Sequence, residues 1–233
     1  MHPGHRPNQT ILSEHANRRH DVTTYGQLMT PVRVSRSMRR WNLNLHYHHV
    51  VLDAIGGHHR SALDVGCGDG MLSFDLANRG LDVVGIDVHE PSIERARAAT
   101  ERSESTQFVC ADLFEHPFEP ESFDVVASIA MLHHVDATQG LRRLRSLVRP
   151  GGALVVVGFA LPSDPIDLAL IVAGLVRTSI ERARGRYWEH GAPTCWPPPL
   201  SMRALRSLIA RELPGARVRR RLGHRYSIVW TAP

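Results

Sequence analysis

The glycine-rich stretch LDVGCGDG, residues 63–70, constrains the fold of this chain more than any other feature. It continues a short apolar segment, residues 62–65, and leads into a segment with helical periodicity that begins at Met71. Glycines allow the backbone to turn tightly from a strand into a helix and to approach a ligand closely. The stretch therefore predicts a strand, a loop and a helix, with the loop lying against a ligand.

Apolar segments rich in β-branched residues alternate with amphipathic segments through the middle of the chain. The predicted strands are 62–65, 82–86, 107–110, 123–129 and 153–159, and the predicted helices between them are 71–78, 91–102 and 139–148. This alternation is typical of a parallel sheet covered by helices on both faces. Right-handed crossovers bring the carboxyl ends of such strands to one edge, where ligands bind.

Three acidic residues are expected at that edge. Asp64 precedes the first loop glycine by two residues, Asp87 ends the second strand, and Asp112 follows the third. A carboxylate in the position of Asp87 can accept both hydroxyls of a ribose, and Asp112 could accept a hydrogen bond from an adenine amino group. A nicotinamide dinucleotide would require a third glycine at residue 71, which is methionine. Asp64 disfavours a pyrophosphate and favours a ligand with a cationic amine.

These motifs resemble the class I S-adenosylmethionine (SAM) dependent methyltransferases, especially the bacterial small-molecule branch of the ubiquinone and menaquinone type. The resemblance covers residues 60–160 and rests on LDVGCGDG (63–70), VVGID (83–87), CADLF (110–114), FDVVASIAMLHHV (123–135) and LVRPGGALVVV (147–157). It implies an α/β fold of three layers, Rossmann-like, with a seven-stranded, mostly parallel sheet whose last strand is antiparallel. It also implies SAM as cofactor and S-adenosylhomocysteine (SAH) as product.

The resemblance also implies roles for individual residues. Gly66, Cys67 and Gly68 would line the methionine part of SAM, with Asp64 near its ammonium group and Asp87 holding the ribose. The remaining cofactor-binding residues expected from it are Val88 against adenine, Ala111, Asp112 and Leu113 at the adenine edge, Ile129 beside the reacting methyl, and Asn44 and Tyr47 at the cofactor carboxylate.

His133 and His134 are the candidate catalytic residues. A histidine poised near neutral pH can take a proton from a hydroxyl or amine nucleophile. Either residue could equally shape the pocket, and the sequence does not choose between them. Methyl transfer from a sulfonium often needs little beyond in-line placement of the nucleophile.

The segments outside the core complete the predicted organisation. We expect a loose N-terminal arm (1–36), a helical lid (37–59), the SAM-binding core (60–160), an insert over the substrate (161–200), and a final helix with an antiparallel hairpin (201–233). Within the insert, the apolar run 166–176 could cover the substrate or rest on a membrane surface, although plain helix packing is favoured. The aromatic residues Tyr187, Trp188 and Trp196 are expected to line or cap a pocket, with stacking against the neighbouring prolines as the alternative. The arginines of the hairpin, residues 217, 219–221 and 225, are interpreted as charges that protect an edge strand.

Composition narrows the remaining choices. The net charge is +5 and every basic residue other than histidine is arginine. Three cysteines far apart, without CxxC spacing, indicate a reduced cytoplasmic protein, and no signal peptide is recognised. The histidines at 46, 48–49 and 58–59 lack an acid or cysteine at ligand spacing, so no metal site is predicted.

The expected reaction is methyl transfer from SAM to oxygen, nitrogen or carbon of a small organic acceptor, such as a quinone, a secondary metabolite or a lipid-like molecule. One alternative is an RNA or other nucleic-acid methyltransferase. The sequence disfavours it, because Ser128-Ile129-Ala130-Met131 stands where base-methylating enzymes carry an Asn/Asp-Pro-Pro-aromatic run. The other alternative is a non-catalytic SAM-binding partner protein. The protein is expected to be a monomer or a homodimer.

Overall fold

The computed structural model describes residues 40–100, 105–189 and 196–233. The predicted N-terminal arm, the first residues of the predicted lid, the last residues of the predicted helix 91–102 and Cys195 lie outside the described residues.

Seven strands form a single sheet in the described part of the chain. They are β1 (Ser61–Val65), β2 (Asp82–Asp87), β3 (Thr106–Cys110), β4 (Phe123–Ile129), β5 (Val148–Phe159), β6 (Arg217–Arg221) and β7 (Arg225–Thr231). Their order across the sheet is β3-β2-β1-β4-β5-β7-β6. Strands β1 to β5 pair in parallel, whereas β7 is antiparallel to both β5 and β6. The predicted fold class is confirmed.

Helices cover the sheet on both faces. They are α1 (Leu43–His46), α2 (His48–Leu52), α3 (Met71–Ala77), α4 (Glu90–Ala99), α5 (Ala137–Ser146), α6 (Pro165–Ala183) and α7 (Met202–Glu212). Alternate residues of β5 enter two separate cores: Leu154 and Val156 pack with α5 and α7, and Val155 and Val157 pack with α2 and α3. Both faces are buried, which explains the unbroken apolar runs. Each such side chain contributes about 1.5–3 kcal/mol on burial.

Two elements differ from the sequence-based prediction. The helix predicted for the lid is two short helices separated at Tyr47, and the side chain of Asn42 caps the first by accepting from the Leu45 N–H at 2.8 Å. Strand β5 begins at Val148 and not after the Pro150-Gly151-Gly152 break. Val148 already pairs with Phe123, and the register then shifts across the break.

Helix α6 lies on the hairpin of β6 and β7 along one side only. The helix backbone approaches the hairpin closely at Gly174, where an added Cβ would lie only 2.6 Å from the backbone nitrogen of Gly223. Arg220 of the hairpin also pairs with Asp164 and Asp167 at the start of the helix. Its opposite side is solvent-exposed, with Leu175 64% accessible. Plain helix packing thus describes one face of α6. Within the described ranges, no helix has the length and apolar character needed to cross a membrane.

Candidate functional site

A cavity of about 650 Å³ opens at the carboxyl edge of the sheet. The loops after β1, β2 and β3 form one half of its wall, which we call the cofactor half. The end of β5 at Phe159, the start of β7 at Arg225, and Asn44, Trp188 and Trp196 from the lid and the insert form the other, which we call the acceptor half. The segment after β4 lies between the two halves. The edge predicted from the strand alternation is therefore where this cavity lies.

The glycine loop has the conformation that its sequence requires. Gly66 and Gly68 have φ angles of +73° and +52°, which side chains rarely adopt. A Cβ on Gly66 would lie 2.6 Å from the Cβ of Met131, so glycine is also needed for space. Around Gly68, no described atom outside this residue and its two chain neighbours lies within 4 Å of where a Cβ would be. The loop backbone is thus open toward the cavity at Gly68.

Asp87 is held in place by the backbone on both sides. Its Oδ2 accepts from the Gly68 N–H at 2.8 Å and its Oδ1 accepts from the His89 N–H at 2.9 Å. A carboxylate oxygen has two lone pairs, so each oxygen can accept a further hydrogen bond from a hydroxyl in the cavity. The neighbouring Val88 is 67% exposed and lines the cavity with an apolar surface.

The residues after β3 complete the cofactor half. Ala111, Asp112 and Leu113 all line the cavity, as does Ile129 at the end of β4. Asp112 accepts from the Phe114 N–H at 2.7 Å through Oδ1, which fixes its carboxylate within the turn. The structure thus brings together the residues predicted around adenine and beside the reacting methyl.

Asp64 is a buried acid at the base of the glycine loop, 2% exposed. Burial raises the pKa of Asp64 to about 6, although the Ser73 hydroxyl donates to its Oδ2 at 2.7 Å. A cation near this carboxylate would stabilise its charged form. Burial, together with the nearby charges of Asp64 and Asp87, raises the pKa of the Cys67 thiol, so this cysteine stays protonated and serves as cavity wall.

The two lid residues predicted at the cofactor carboxylate have different positions. Asn44 lines the cavity, and its Oδ1 accepts from Arg225 at 2.9 Å. Tyr47 is 2% exposed and is not among the described residues that line the cavity. Its hydroxyl accepts from the Leu222 N–H at 2.7 Å. This position corrects the expectation for Tyr47. The break between α1 and α2 directs its ring into the core, where it joins the lid to the hairpin.

His133 and His134 both line the cavity after β4, in a 3₁₀ turn, Leu132–His134. His133 is buried, and its ring lies 4.7 Å from Phe159 and 4.2 Å from His134, between centroids. Burial lowers the pKa of His133 to about 4, with smaller contributions from the nearby His134 and Arg225. Burial also lowers the pKa of His134, although the charge of Asp87 acts in the opposite direction. His133 is therefore uncharged at neutral pH.

Sequence reasoning missed two residues of the acceptor half, namely Phe159 and Arg225. Trp188 and Trp196, which the sequence predicts at a pocket, line the cavity. Phe159 was findable, because it ends a predicted parallel strand. Trp188 is placed by long-range backbone pairing: its N–H donates to the Trp41 carbonyl at 2.9 Å, and its carbonyl accepts from Asn42. Of the predicted insert, Trp188 and Trp196 line the cavity, whereas no residue of α6 does.

Arg225 corrects one sequence interpretation. The sequence pattern groups it with the surface arginines of the hairpin, but it lines the cavity and its guanidinium lies 4.3 Å from the centroid of the Phe159 ring. The antiparallel direction of β7 places its first residue at the carboxyl edge of the parallel strands. Arg219, in contrast, is exposed as expected.

The residues of the cofactor half fit SAM. The open backbone at Gly68 leaves room for the methionine chain, and the Asp64 carboxylate suits its ammonium. The backbone-held Asp87 suits ribose hydroxyls, and the exposed Val88 suits the face of adenine. This combination defines an α/β protein that binds an adenosyl cofactor with a cationic end. Within the described ranges, no group of three or more His, Cys, Asp or Glu side chains could hold a metal ion.

Comparison with known proteins agrees with this class. The family described as "Methyltransferase domain" matches residues 63–156. An uncharacterized methyltransferase of Mycobacterium tuberculosis is 38% identical over 194 residues, which cover 83% of this chain and 98% of the relative. The chain belongs to the SAM-dependent methyltransferases.

More distant matches show how far this similarity extends. A ubiquinone biosynthesis O-methyltransferase of Aliivibrio fischeri is 37% identical over 111 residues, 46% of this chain and 47% of that protein. The solved structure of an S-adenosylmethionine dependent methyltransferase from Mesorhizobium loti has a TM-score of 0.54 and 19% identity, covering 80% of this chain and 96% of that one. The structural match supports the fold, whereas the partial sequence match points to small-molecule relatives.

Proposed function

We propose that this protein methylates a small organic acceptor that binds in the acceptor half of the cavity, beside His133 and Phe159. The observation that carries the proposal is the continuity of the cavity, which joins a half suited to SAM with a half walled by aromatic rings. Aromatic walls favour a flat, partly apolar acceptor. The ubiquinone-pathway relative, an O-methyltransferase by name, supports oxygen as the atom methylated.

The chain's own residues would bind and orient the reactants. SAM supplies a methyl group already activated by a positive sulfur, so the main demand on the protein is in-line placement of the nucleophile. Asp64 and Gly68 would hold the methionine part of the cofactor and Asp87 its ribose, and the segment after β4 would direct its methyl toward the acceptor half. Trp188 and Trp196 would exclude water from the acceptor.

We assign His133 to the orientation of the acceptor and not to proton removal. A group with a pKa of about 4 is a weak base toward a hydroxyl. Its uncharged ring can still accept or donate one hydrogen bond at each nitrogen, according to tautomer. His134 is the last residue of the same turn and is exposed, and it would border the cofactor.

The test is turnover with isotopically labelled SAM. Mass spectrometry would follow label in a panel of phenols, enols, carboxylic acids and amines, alongside RNA and DNA. We expect label only in small molecules, and much less of it with Asp87→Ala when SAM is kept below its saturating concentration. Label in RNA with none in any small molecule would contradict the proposal.

We also propose a reduced, cytoplasmic location. The two described cysteines, Cys67 and Cys110, are both unpaired, although Cys110 is exposed. Exposed free thiols persist in a reducing compartment. If the protein lies in a reducing compartment, alkylation of Cys110 in fresh lysate without added reductant should be complete. Alkylation would be blocked if the thiol is oxidised in the cell.

A further inference from the structure

Arg225 is a cation placed by the fold inside the acceptor half. It is the first residue of β7 and pairs with Phe159, the last residue of β5. Two strands, β4 and β5, separate it from the glycine loop that follows β1 in the sheet order. Its position is therefore on the far side of the cavity from the residues that suit adenosine.

The neighbours of Arg225 fix its guanidinium without neutralising it. Nε and Nη2 donate to the Asn44 Oδ1 at 3.3 and 2.9 Å, and Nη1 donates to the Gly223 carbonyl at 3.0 Å. The Phe159 ring lies against its face. A guanidinium has five N–H donors, so two remain for a ligand.

Several other arginines among the described residues are paired with acids. Arg220 contacts Asp164 and Asp167, and Arg142 binds Glu212 through two hydrogen bonds. Arg225 has no acidic partner among the described residues, and burial lowers its pKa to about 10, which still leaves it charged at neutral pH. A charge that the cavity wall partly desolvates is costly without a counter-ion, which indicates that its counter-ion comes with a ligand.

A second polar atom near Arg225 also lacks a partner. The Nδ1 of His133 is buried and makes no hydrogen bond within the described structure. The centroids of the His133 and Phe159 rings lie 4.7 Å apart, and Phe159 is also the ring that the Arg225 guanidinium contacts. The two groups therefore converge on one region of the acceptor half.

We propose that Arg225 binds a carboxylate of the acceptor, so that the substrates of this enzyme are small organic acids. This inference rests on the proposed function, because it names the acceptor class for the same cavity. The planar fork of an arginine matches the two oxygens of a carboxylate, and such pairs are among the stronger hydrogen bonds in proteins. Asn44 orients the fork, and His133 offers a further hydrogen bond to the same acid.

The cofactor also carries a carboxylate, on its methionine end, and the experiment must separate the two sources. SAH-saturated protein would be titrated with three pairs of probes: benzoate and benzamide, phenylacetate and phenylacetamide, hexanoate and hexanamide. Each pair has the same size and differs in charge. Dissociation constants would come from ligand-detected nuclear magnetic resonance at fixed ionic strength.

We expect at least one acid to bind the wild type tenfold or more tightly than its amide. Arg225→Gln should reduce that preference below twofold. Arg219→Gln removes an exposed arginine from the same hairpin outside the cavity and should leave the preference unchanged. Arg225→Met, which removes a buried cation and keeps an apolar chain of similar length, replaces Arg225→Gln if that variant does not fold.

Three results would overturn the carboxylate site: equal affinity for acid and amide in all wild-type pairs, an acid preference that survives in the Arg225 variant, or an acid preference lost equally in Arg219→Gln. If loss of Arg225 weakens SAH binding tenfold and leaves the acid preference intact, the residue serves the cofactor carboxylate and the proposal is wrong. A wild type that does not bind SAH contradicts the proposed function instead, and this is measured separately.

Discussion

The cofactor half and the acceptor half of the cavity are built in different ways. The cofactor half uses residues that directly follow β1, β2 and β3, so each is fixed by its own strand and turn. The acceptor half collects Asn44, Phe159, Trp188 and Arg225 from four distant segments. The first half depends on local backbone geometry and the second on tertiary packing. We therefore expect substitutions in the two halves to affect different steps.

The largest effect is expected from Gly66→Ala in the cofactor half. The new Cβ would lie 2.6 Å from the Cβ of Met131 at a φ of +73°, so the loop or the segment after β4 must shift, and both line the cavity. We expect SAH affinity to fall by about 100-fold or more, equivalent to about 3 kcal/mol. Calorimetric titration of each protein with SAH measures this affinity.

Gly80→Ala is the matched control. Gly80 has a similar φ of +82° but open space around it, so the variant carries the backbone strain without the clash. It should bind SAH like the wild type. Equal loss of SAH binding in both variants would show that strain alone, and not the approach of the loop to a ligand, explains the effect.

The next largest effect on SAH affinity is expected from Asp87→Ala. It removes the acceptor predicted for ribose and also the two backbone hydrogen bonds that order the loop. A lost charged hydrogen bond costs about 1.5–3 kcal/mol, so SAH affinity should fall roughly 10- to 100-fold. Asp82→Ala, at the opposite end of β2, should have no effect. Unchanged affinity in Asp87→Ala would remove this residue from the cofactor site.

The pH dependence of SAH binding tests Asp64. Its pKa of about 6 lies above the value of an exposed aspartate, so the protein without ligand takes up a proton here as pH falls through 6. A ligand with an ammonium group binds the charged form more tightly, so SAH affinity should weaken up to about tenfold per pH unit below 6. Asp64→Asn should flatten this profile. A wild-type profile flat from pH 5 to 7 would contradict the pairing.

The smallest effects on cofactor binding are expected in the acceptor half. Trp188→Ala removes an aromatic wall and should raise the KM for the acceptor about tenfold, while SAH affinity changes less than twofold.

His133→Gln should lower kcat by less than about tenfold if the residue orients the acceptor, because loss of a general base typically costs 100-fold or more. A parallel loss of SAH affinity in either variant would show that the halves are not separate.

The same contrast explains what could be predicted from the sequence. Asp87 and Asp112 were predictable, because a residue that ends a parallel strand lies at the binding edge whatever the rest of the chain does. Tyr47 was not, because a single break between α1 and α2 turns its side chain into the core. Arg225 was not, because its place depends on the antiparallel direction of β7, while its neighbours in sequence are surface arginines. The place of Trp188 at a pocket was predictable, but its pairing with Trp41 was not, because no local pattern signals that pairing.

A crystal structure of the complex with SAH tests the division of the cavity most directly. We predict the ribose hydroxyls on Asp87, the adenine on Val88, and the sulfur directed toward the space between His133, Phe159 and Arg225. Arg225 should keep its contact with Asn44 and remain clear of the cofactor. A ribose bound away from Asp87, or a sulfur facing away from Phe159, would contradict the account.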